Sequence, residues 1–126
     1  MKNDHTGEPT NLTVLRGPVR GDAAMRTLPS GAMSLQFDVA TTIGPTGRTT
    51  NMTVPVVWID PPTSSVEWAN DGTEVLVIGT VRRRFFRVGG ATQSRTEVVA
   101  DVVIPTRRRK QVSNAIDAVV DRLHSS

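Results

Sequence analysis

The sequence predicts an all-β domain with one appended helix, and three observations support this prediction. Short apolar stretches alternate with polar residues at the period of two that half-buried strands show. Glycine- and proline-containing turns separate these stretches. Only after Pro105 does the apolar period lengthen to that of a helix. A chain of 126 residues is large enough for one domain with one core.

The first two strands are separated by a tight turn at residues 28–31. The first strand is expected to break at Gly17–Pro18 and to resume after a bulge at Val19. The second strand, residues 34–42, alternates apolar and polar residues, which predicts one buried face. The residues expected in that face are Leu35, Phe37 and Val39.

The third strand, residues 52–59, contains Pro55, which is favoured at an edge or a bulge because proline cannot donate a ladder hydrogen bond. A short helix over residues 63–70 follows, and Trp68 is expected to anchor it in the core. The fourth strand, residues 73–86, and the fifth, residues 93–104, are joined by a loop around Gly89–Gly90.

This order, with five short strands and a small helix between the third and fourth, is that of the OB-fold, a five-stranded Greek-key barrel. The expected domains are a disordered arm (1–10), the barrel (11–105) and a basic amphipathic C-terminal helix (106–126). The apolar stripe expected on that helix comprises Val112, Ile116, Val119 and Leu123. Packing against its own barrel is the favoured interpretation; pairing with another protomer or extending a nucleic-acid path are the alternatives.

Positive charge is concentrated in one part of the chain. Residues 82–110 hold nine basic and two acidic residues, and the rest of the chain holds six basic and ten acidic ones. A local field of this kind favours a polyanion. Within it, residues 82–87 read RRRFFR: guanidinium groups suit phosphate oxygens, and aromatic rings stack on any base. We therefore expect single-stranded nucleic acid as the ligand, with a merely solvated basic face as the alternative.

The sequence disfavours several other classes of protein. The chain has no cysteine, which excludes disulfides, thiolate metal sites and a cysteine nucleophile. His5 and His124 lack the paired carboxylates or spacing of a metal or catalytic site. No apolar run approaches the length of a membrane span, and no signal peptide is evident. We expect a protein without enzymatic activity, cofactor or metal, located in the cytoplasm with the nucleoid and not at a membrane.

Two segments resemble bacterial single-stranded DNA-binding proteins. NLTVLRGPVRGDAAMRTLPSGAMSLQFDVAT is similar to the opening of that family, and VPVVWIDPPTSSVEWANDGTEVLVIGTVRRRFF, followed by RTEVVADVV, is similar to its third strand, helix and last two strands. The resemblance covers residues 11–103. It implies a homotetramer or dimer, assembled partly through the first strand, that coats and protects single-stranded DNA in replication, recombination or repair.

The resemblance also suggests binding residues. Phe86 matches the family's aromatic on the fourth-strand hairpin, whereas Phe85 points to the other face and is expected in the core, as is Phe37. An aromatic at the end of the third strand corresponds to Ile59 or, one residue earlier, to Trp58, so Trp58 either stacks on bases or fills the core. The nucleic-acid-binding residues expected are Arg82, Arg83, Arg84, Phe86, Arg87, Arg95, Trp58 and Arg48.

The sequence departs from the family in two respects. Two family aromatics fall on Thr53 and near Pro45, so binding should depend more on arginine charge than on stacking, and should be sensitive to salt. The chain ends in DRLHSS and not in an acidic tip that recruits replication and repair enzymes, which indicates a divergent member. The alternative function is an accessory, protein-interaction subunit of a DNA-processing complex, with weak nucleic-acid binding and a replication or recombination protein as partner.

Overall fold

The computed structural model describes residues 9–124. Residues 1–8 of the predicted arm, which include His5, lie outside this range. Residues 125–126 of the predicted C-terminal helix lie outside it as well. The elements are β1 (Thr13–Thr27), β2 (Met33–Ile43), β3 (Thr50–Ile59), α1 (Ser65–Trp68), β4 (Glu74–Val88), β5 (Ala91–Pro105) and α2 (Arg109–His124). Both predicted helices are confirmed, although α1 has only four residues.

The five strands form a closed barrel in the order β1-β2-β3-β5-β4, which confirms the predicted five-stranded barrel. All neighbouring pairs are antiparallel except β3 and β5, which run parallel. Strand β1 closes the ring, because its first half pairs with β4 and its second half pairs with β2. Closure leaves the ring itself without a free edge.

The predicted break in the first strand is wrong. Residues 13–18 pair with β4, so the strand runs through Gly17–Pro18, and Pro18 is the residue at which β1 changes partner. The irregularity lies further on, between Arg20 and Ala24. Gly17 is required by close packing, because a Cβ at this position would collide with the carbonyl oxygen of Ala40.

The main core fills the barrel. The predicted apolar face of β2 is confirmed, since Leu35, Phe37 and Val39 are all buried. Trp58 and Trp68 lie in the same cluster, with ring centroids 5.9 Å apart and planes inclined by 48°. The core positions predicted for Trp68 and Phe37 are therefore confirmed.

A second, smaller core lies between the barrel wall and α2. Val112 is buried against Leu76, Ile78 and Ile104, and Ala115 and Val119 complete the contact. The predicted stripe is thus rotated: Ile116 and Leu123 are exposed. The favoured interpretation, that α2 packs on its own barrel, is confirmed. Among residues 9–124, no helix is both long and apolar enough to cross a membrane.

Two hairpins project from the same end of the barrel. β3 and β5 pair only at residues 56–58 and 98–100, and because they run parallel, their preceding residues extend from one end. That end therefore carries the β2–β3 hairpin, with its loop at residues 44–49, and the outer part of the β4–β5 hairpin. Pro55 lies just before the stretch of β3 that pairs with β5, at the edge position its lack of an N–H favours.

Candidate nucleic-acid interface

The outer part of the β4–β5 hairpin, residues 82–97, forms a two-stranded arm that extends beyond the barrel. β4 pairs with β1 only as far as Gly79, and β5 pairs with β3 only from Val98 onward. The side chain of Asn11 ends the β1–β4 ladder: its amide nitrogen donates to the Val81 carbonyl (2.8 Å), and its oxygen accepts from the Val81 N–H (2.9 Å). Beyond that point the arm has only two strands.

The turn of the arm sets its register. Gly89 and Gly90 have φ of 57° and 84°, as a two-residue type I′ turn requires. Val88 therefore pairs with Ala91, and counting back along the ladder places Arg84 opposite Arg95 and Arg82 opposite Glu97. Side chains directly opposite one another lie on the same face of a sheet.

The outward-facing side of the arm, here called the front face, carries Arg82, Arg84 and Phe86 of β4 and Arg95 and Glu97 of β5. At its centre lies Glu97, whose side chain is only 1% exposed. Arg82 donates to Glu97 Oε2 from Nη2 (2.5 Å) and from Nε (3.2 Å). Arg84 Nε donates to Oε1 (3.4 Å), and Arg95 Nε lies 3.9 Å from the same oxygen. One buried carboxylate thus gathers three guanidinium groups.

This arrangement leaves most of the positive charge available. The three arginine side chains are 43–48% exposed, and each guanidinium has five N–H donors. Arg82 uses two of them on Glu97 and Arg84 uses one. A buried carboxylate is tolerated only when it is paired and hydrogen-bonded, so Glu97 keeps the arginines close together while their outer N–H groups face solvent.

Phe86 extends the front face toward the tip of the arm. Its ring is half-buried, and the Arg84 Cζ lies 5.5 Å from the ring centroid, within the range of a cation–π contact. Arg84 therefore contacts both Glu97 and Phe86. The result is a cationic surface with a flat aromatic beside it, a combination that suits both the phosphates and the bases of a single strand.

The front face continues onto the barrel wall. Arg95 borders a groove that also contains Arg20, Arg26 and two carboxylates, Asp22 and Asp38. Val57 of β3, on the outer side of the sheet, lies in the same groove. Its mixed charge makes this groove a weaker attractor of polyanions than the arm.

The opposite side of the arm, here called the reverse face, carries Arg83, Phe85 and Arg87. The prediction that Phe85 is a core residue is wrong: its side chain is 65% exposed. Strand alternation does place it away from Phe86, but the arm has left the barrel at this point and no core lies beneath it. Arg83 and Arg87 are exposed too, and Arg87 Nη2 donates to the Gly90 carbonyl (2.9 Å).

The two remaining predicted residues lie elsewhere. Trp58 is 6% exposed within the main core, so of the two possibilities the structure selects the core, and Trp58 offers no face to a base. The register explains this, because Trp58 pairs with Leu35, a residue of the buried face of β2. Arg48 is exposed in the β2–β3 loop, at the end of the barrel from which the arm projects.

Glu97 is the site residue that sequence reasoning missed. A glutamate in an alternating strand is typical of a solvent-facing position, and in the sequence Glu97 only lowers the local positive charge. The signal was nevertheless present, since counting back from a two-residue Gly89–Gly90 turn pairs Glu97 with Arg82.

Comparison with known proteins supports the architecture. No protein-family profile and no curated protein sequence matches the chain. Among solved structures, the chain is similar to a Plasmodium falciparum SSB in complex with ssDNA, with a TM-score of 0.64 and 18% identity over 75% of this chain and 89% of that chain. The chain has an OB-fold. The predicted fold class, an OB-fold barrel with a helix between strands 3 and 4 and an appended C-terminal helix, is thereby confirmed.

Proposed function

We propose that this OB-fold protein binds single-stranded DNA without catalysis and protects it during replication, recombination or repair. The observation that carries the proposal is the cluster of Arg82, Arg84 and Arg95 around the buried Glu97, with Phe86 beside it. The solved structure to which the chain is similar is an SSB bound to ssDNA, which agrees with this ligand. Arginine–phosphate contacts provide most of the affinity, and base stacking on Phe86 contributes the rest.

A single strand fits the front face better than a duplex does. The Phe86 ring can stack only on a base whose face is uncovered, as in a single strand, whereas neighbouring base pairs cover the faces of the bases in a duplex. Arg48, at the same end of the barrel, adds a further phosphate contact from the β2–β3 loop. The absence of an acidic residue other than Glu97 among residues 82–97 keeps this end of the molecule positive.

Self-association is part of the proposal. Val14 is 48% exposed on the outer side of β1. The resemblance to bacterial single-stranded DNA-binding proteins implies assembly partly through this first strand. Light scattering coupled to gel filtration would distinguish a monomer from a dimer or tetramer. A monomer at micromolar concentration would contradict this part of the proposal.

The experiment for the main proposal compares two double variants in binding to fluorescent oligo-dT. Arg84→Ala/Arg95→Ala removes two front-face charges, and Arg107→Ala/Arg109→Ala removes two charges near the start of α2. We expect a loss of at least tenfold for the first, and for the second the smaller loss that a general reduction of charge produces. Equal losses would show that the front face is not the binding site.

A second candidate function rests on α2. Ile116, Val120 and Leu123 are each more than 40% exposed, and their spacing of four and three residues places them on one side of the helix. Such a stripe suits a protein partner, as an accessory subunit of a DNA-processing complex would require. Loss of a replication or recombination partner in Ile116→Ser/Val120→Ser, with oligo-dT binding unchanged, would favour this function.

A further inference from the structure

The reverse face of the arm has an unusual composition for a surface without a partner. β4 contributes Arg83, Phe85 and Arg87 at alternate positions, and β5 places Thr96, Ser94 and Thr92 opposite them. Phe85, at 65% exposure, is the most exposed of the large hydrophobic side chains among residues 9–124. A ring left in water contributes little burial free energy to folding, which leaves Phe85, between two arginines, available to a ligand.

The charge of the reverse face is uncompensated. On the front face, three arginines share the carboxylate of Glu97, whereas no acidic residue occupies the reverse face of the arm. Within the described part of the chain, neither Arg83 nor Arg87 has an acidic partner, and Arg87 donates a hydrogen bond to a backbone carbonyl. Both faces therefore have a net charge of +2, each with one phenylalanine beside the arginines.

We propose that the reverse face is a second contact surface for single-stranded nucleic acid. Arg83 and Arg87 are four residues apart, about 13 Å along the strand, with the Phe85 ring midway between them. A ligand that alternates phosphates with flat bases complements this order of cation, ring and cation. An acidic protein segment would complement the arginines and leave the ring unused, and a membrane surface would require a larger apolar area.

The shape of the arm allows one strand to reach both faces. The arm is only two strands wide, and neighbouring strands lie about 4.8 Å apart. Its tip consists of Gly89 and Gly90, which have no side chains to obstruct a ligand that turns around it. A strand held on the front face by Arg84 and Phe86 can therefore pass the tip and continue along Phe85 and Arg83.

This inference rests on the proposed function, and it predicts a dependence on ligand length. A short oligonucleotide occupies the front face alone, whereas a longer one contacts both faces. The test measures the affinity of wild type and two triple variants for an oligo-dT series of increasing length at low salt. The reverse variant is Arg83→Ala/Phe85→Ala/Arg87→Ala, and its matched front variant is Arg84→Ala/Phe86→Ala/Arg95→Ala.

For the reverse variant we expect near wild-type affinity for the shortest oligonucleotides that bind and a loss of about tenfold or more for the longest. The slope of log affinity against log salt for long oligonucleotides should become shallower by about 1.4, because two phosphate contacts at about 0.7 each are lost. The front variant should lose affinity at every length. All three reverse-face side chains are exposed, so thermal midpoints near wild type would show that the variant folds.

Three outcomes would overturn the inference. Wild-type affinity of the reverse variant at every length would show that the face is not used, and an equal loss at every length would show that both faces form one site. Loss of binding to a polyglutamate peptide, with oligo-dT binding intact, would assign the face to an acidic protein segment. If wild type fails to bind oligo-dT, the proposed function itself fails, which is distinct from the first two outcomes.

Discussion

Arg82 donates two hydrogen bonds to one oxygen of Glu97, from Nη2 at 2.5 Å and from Nε at 3.2 Å. The carboxylate is buried and the Arg82 side chain is 43% exposed, so the pair joins the interior of the protein to its charged surface. Because Arg84 and Arg95 approach the other oxygen of Glu97, this carboxylate determines where all three arginines lie.

Glu97→Gln should lower the stability of the protein and raise its affinity for single strands at low salt. The amide loses charge-assisted hydrogen bonds to the arginines. The cost in unfolding free energy should be only about 1–2 kcal/mol, because the arginines are half-exposed and the pair is not fully buried. If an arginine released from Glu97 neutralises one more phosphate, the slope of log affinity against log salt should also become steeper by about 0.7. Urea unfolding and oligo-dT titration measure the two effects.

Asp101→Asn provides the matched control for Glu97→Gln. Asp101 lies on the same strand, is exposed and falls where the β4–β5 register shifts, away from the arginine cluster. Its loss should change stability by no more than about 0.5 kcal/mol. If both variants behave alike, Glu97 contributes only net charge and does not position the arginines.

Intrinsic tryptophan fluorescence should change little when oligo-dT binds. Both tryptophans are buried in the main core, and the Arg108 Cζ lies 5.6 Å from the Trp68 ring centroid. Neither ring can therefore stack on a base. Phe86→Trp places a tryptophan on the front face, at a half-buried position, and this variant should show strong quenching. Strong quenching of wild type would contradict the core position of Trp58.

The attachment of α2 can be tested with two alanine variants of one helix. Val112 is 8% exposed and Ile116 is 41% exposed. Val112→Ala should cost about 1.5–3 kcal/mol of unfolding free energy, since methyl groups are removed from a packed site, and Ile116→Ala should cost no more than about 0.5 kcal/mol. Chemical denaturation distinguishes the two. Equal costs would indicate that Ile116 is covered in solution.

Glu74 makes the stability of the β4–α2 junction dependent on pH. The Thr106 hydroxyl donates to its Oε1 (2.6 Å) and Arg16 Nη2 lies 3.3 Å away, and these contacts lower the pKa of Glu74 below its ordinary value of 4.5. A lowered pKa means that the native state holds the proton less tightly than the unfolded state. The stabilisation is therefore present above pH 4.5 and is lost as pH falls through the lower native value.

Glu74→Gln should accordingly be less stable than wild type at neutral pH, and the difference should shrink below pH 4.5. The difference should be small, since both charged side chains are about half-exposed. Thermal unfolding of both proteins between pH 3 and 7 measures it. A difference that does not change with pH would show that the Glu74 charge is not involved.

Periodicity predicted the barrel well because each strand has one face in a common core. Leu35, Phe37 and Val39 alternate with polar residues, and their burial follows directly from that pattern. The same rule failed for Phe85, since alternation gives the face of a strand but not whether a core lies beneath it. The β4–β5 arm leaves the barrel, and only the partners of each strand reveal where it does so.

Register accounts for the remaining differences. The position of Trp58 depended on a shift of one residue, which the pairing of β3 with β2 determines and a single strand does not. Glu97 became identifiable as the partner of Arg82 only through the two-residue turn at the tip. The candidate site was therefore predictable as a region, while its division into two faces required the strand pairing.

The central claim, that this OB-fold protein binds single strands through clustered arginines, is tested most directly by one titration. Fluorescence anisotropy of labelled oligo-dT and of a matching duplex would be followed at several salt concentrations with the wild-type protein. We predict preferential binding of the single strand, with a slope of log affinity against log salt near −3, as expected for about four phosphate contacts at about 0.7 each. Equal or negligible binding of both ligands would contradict the claim.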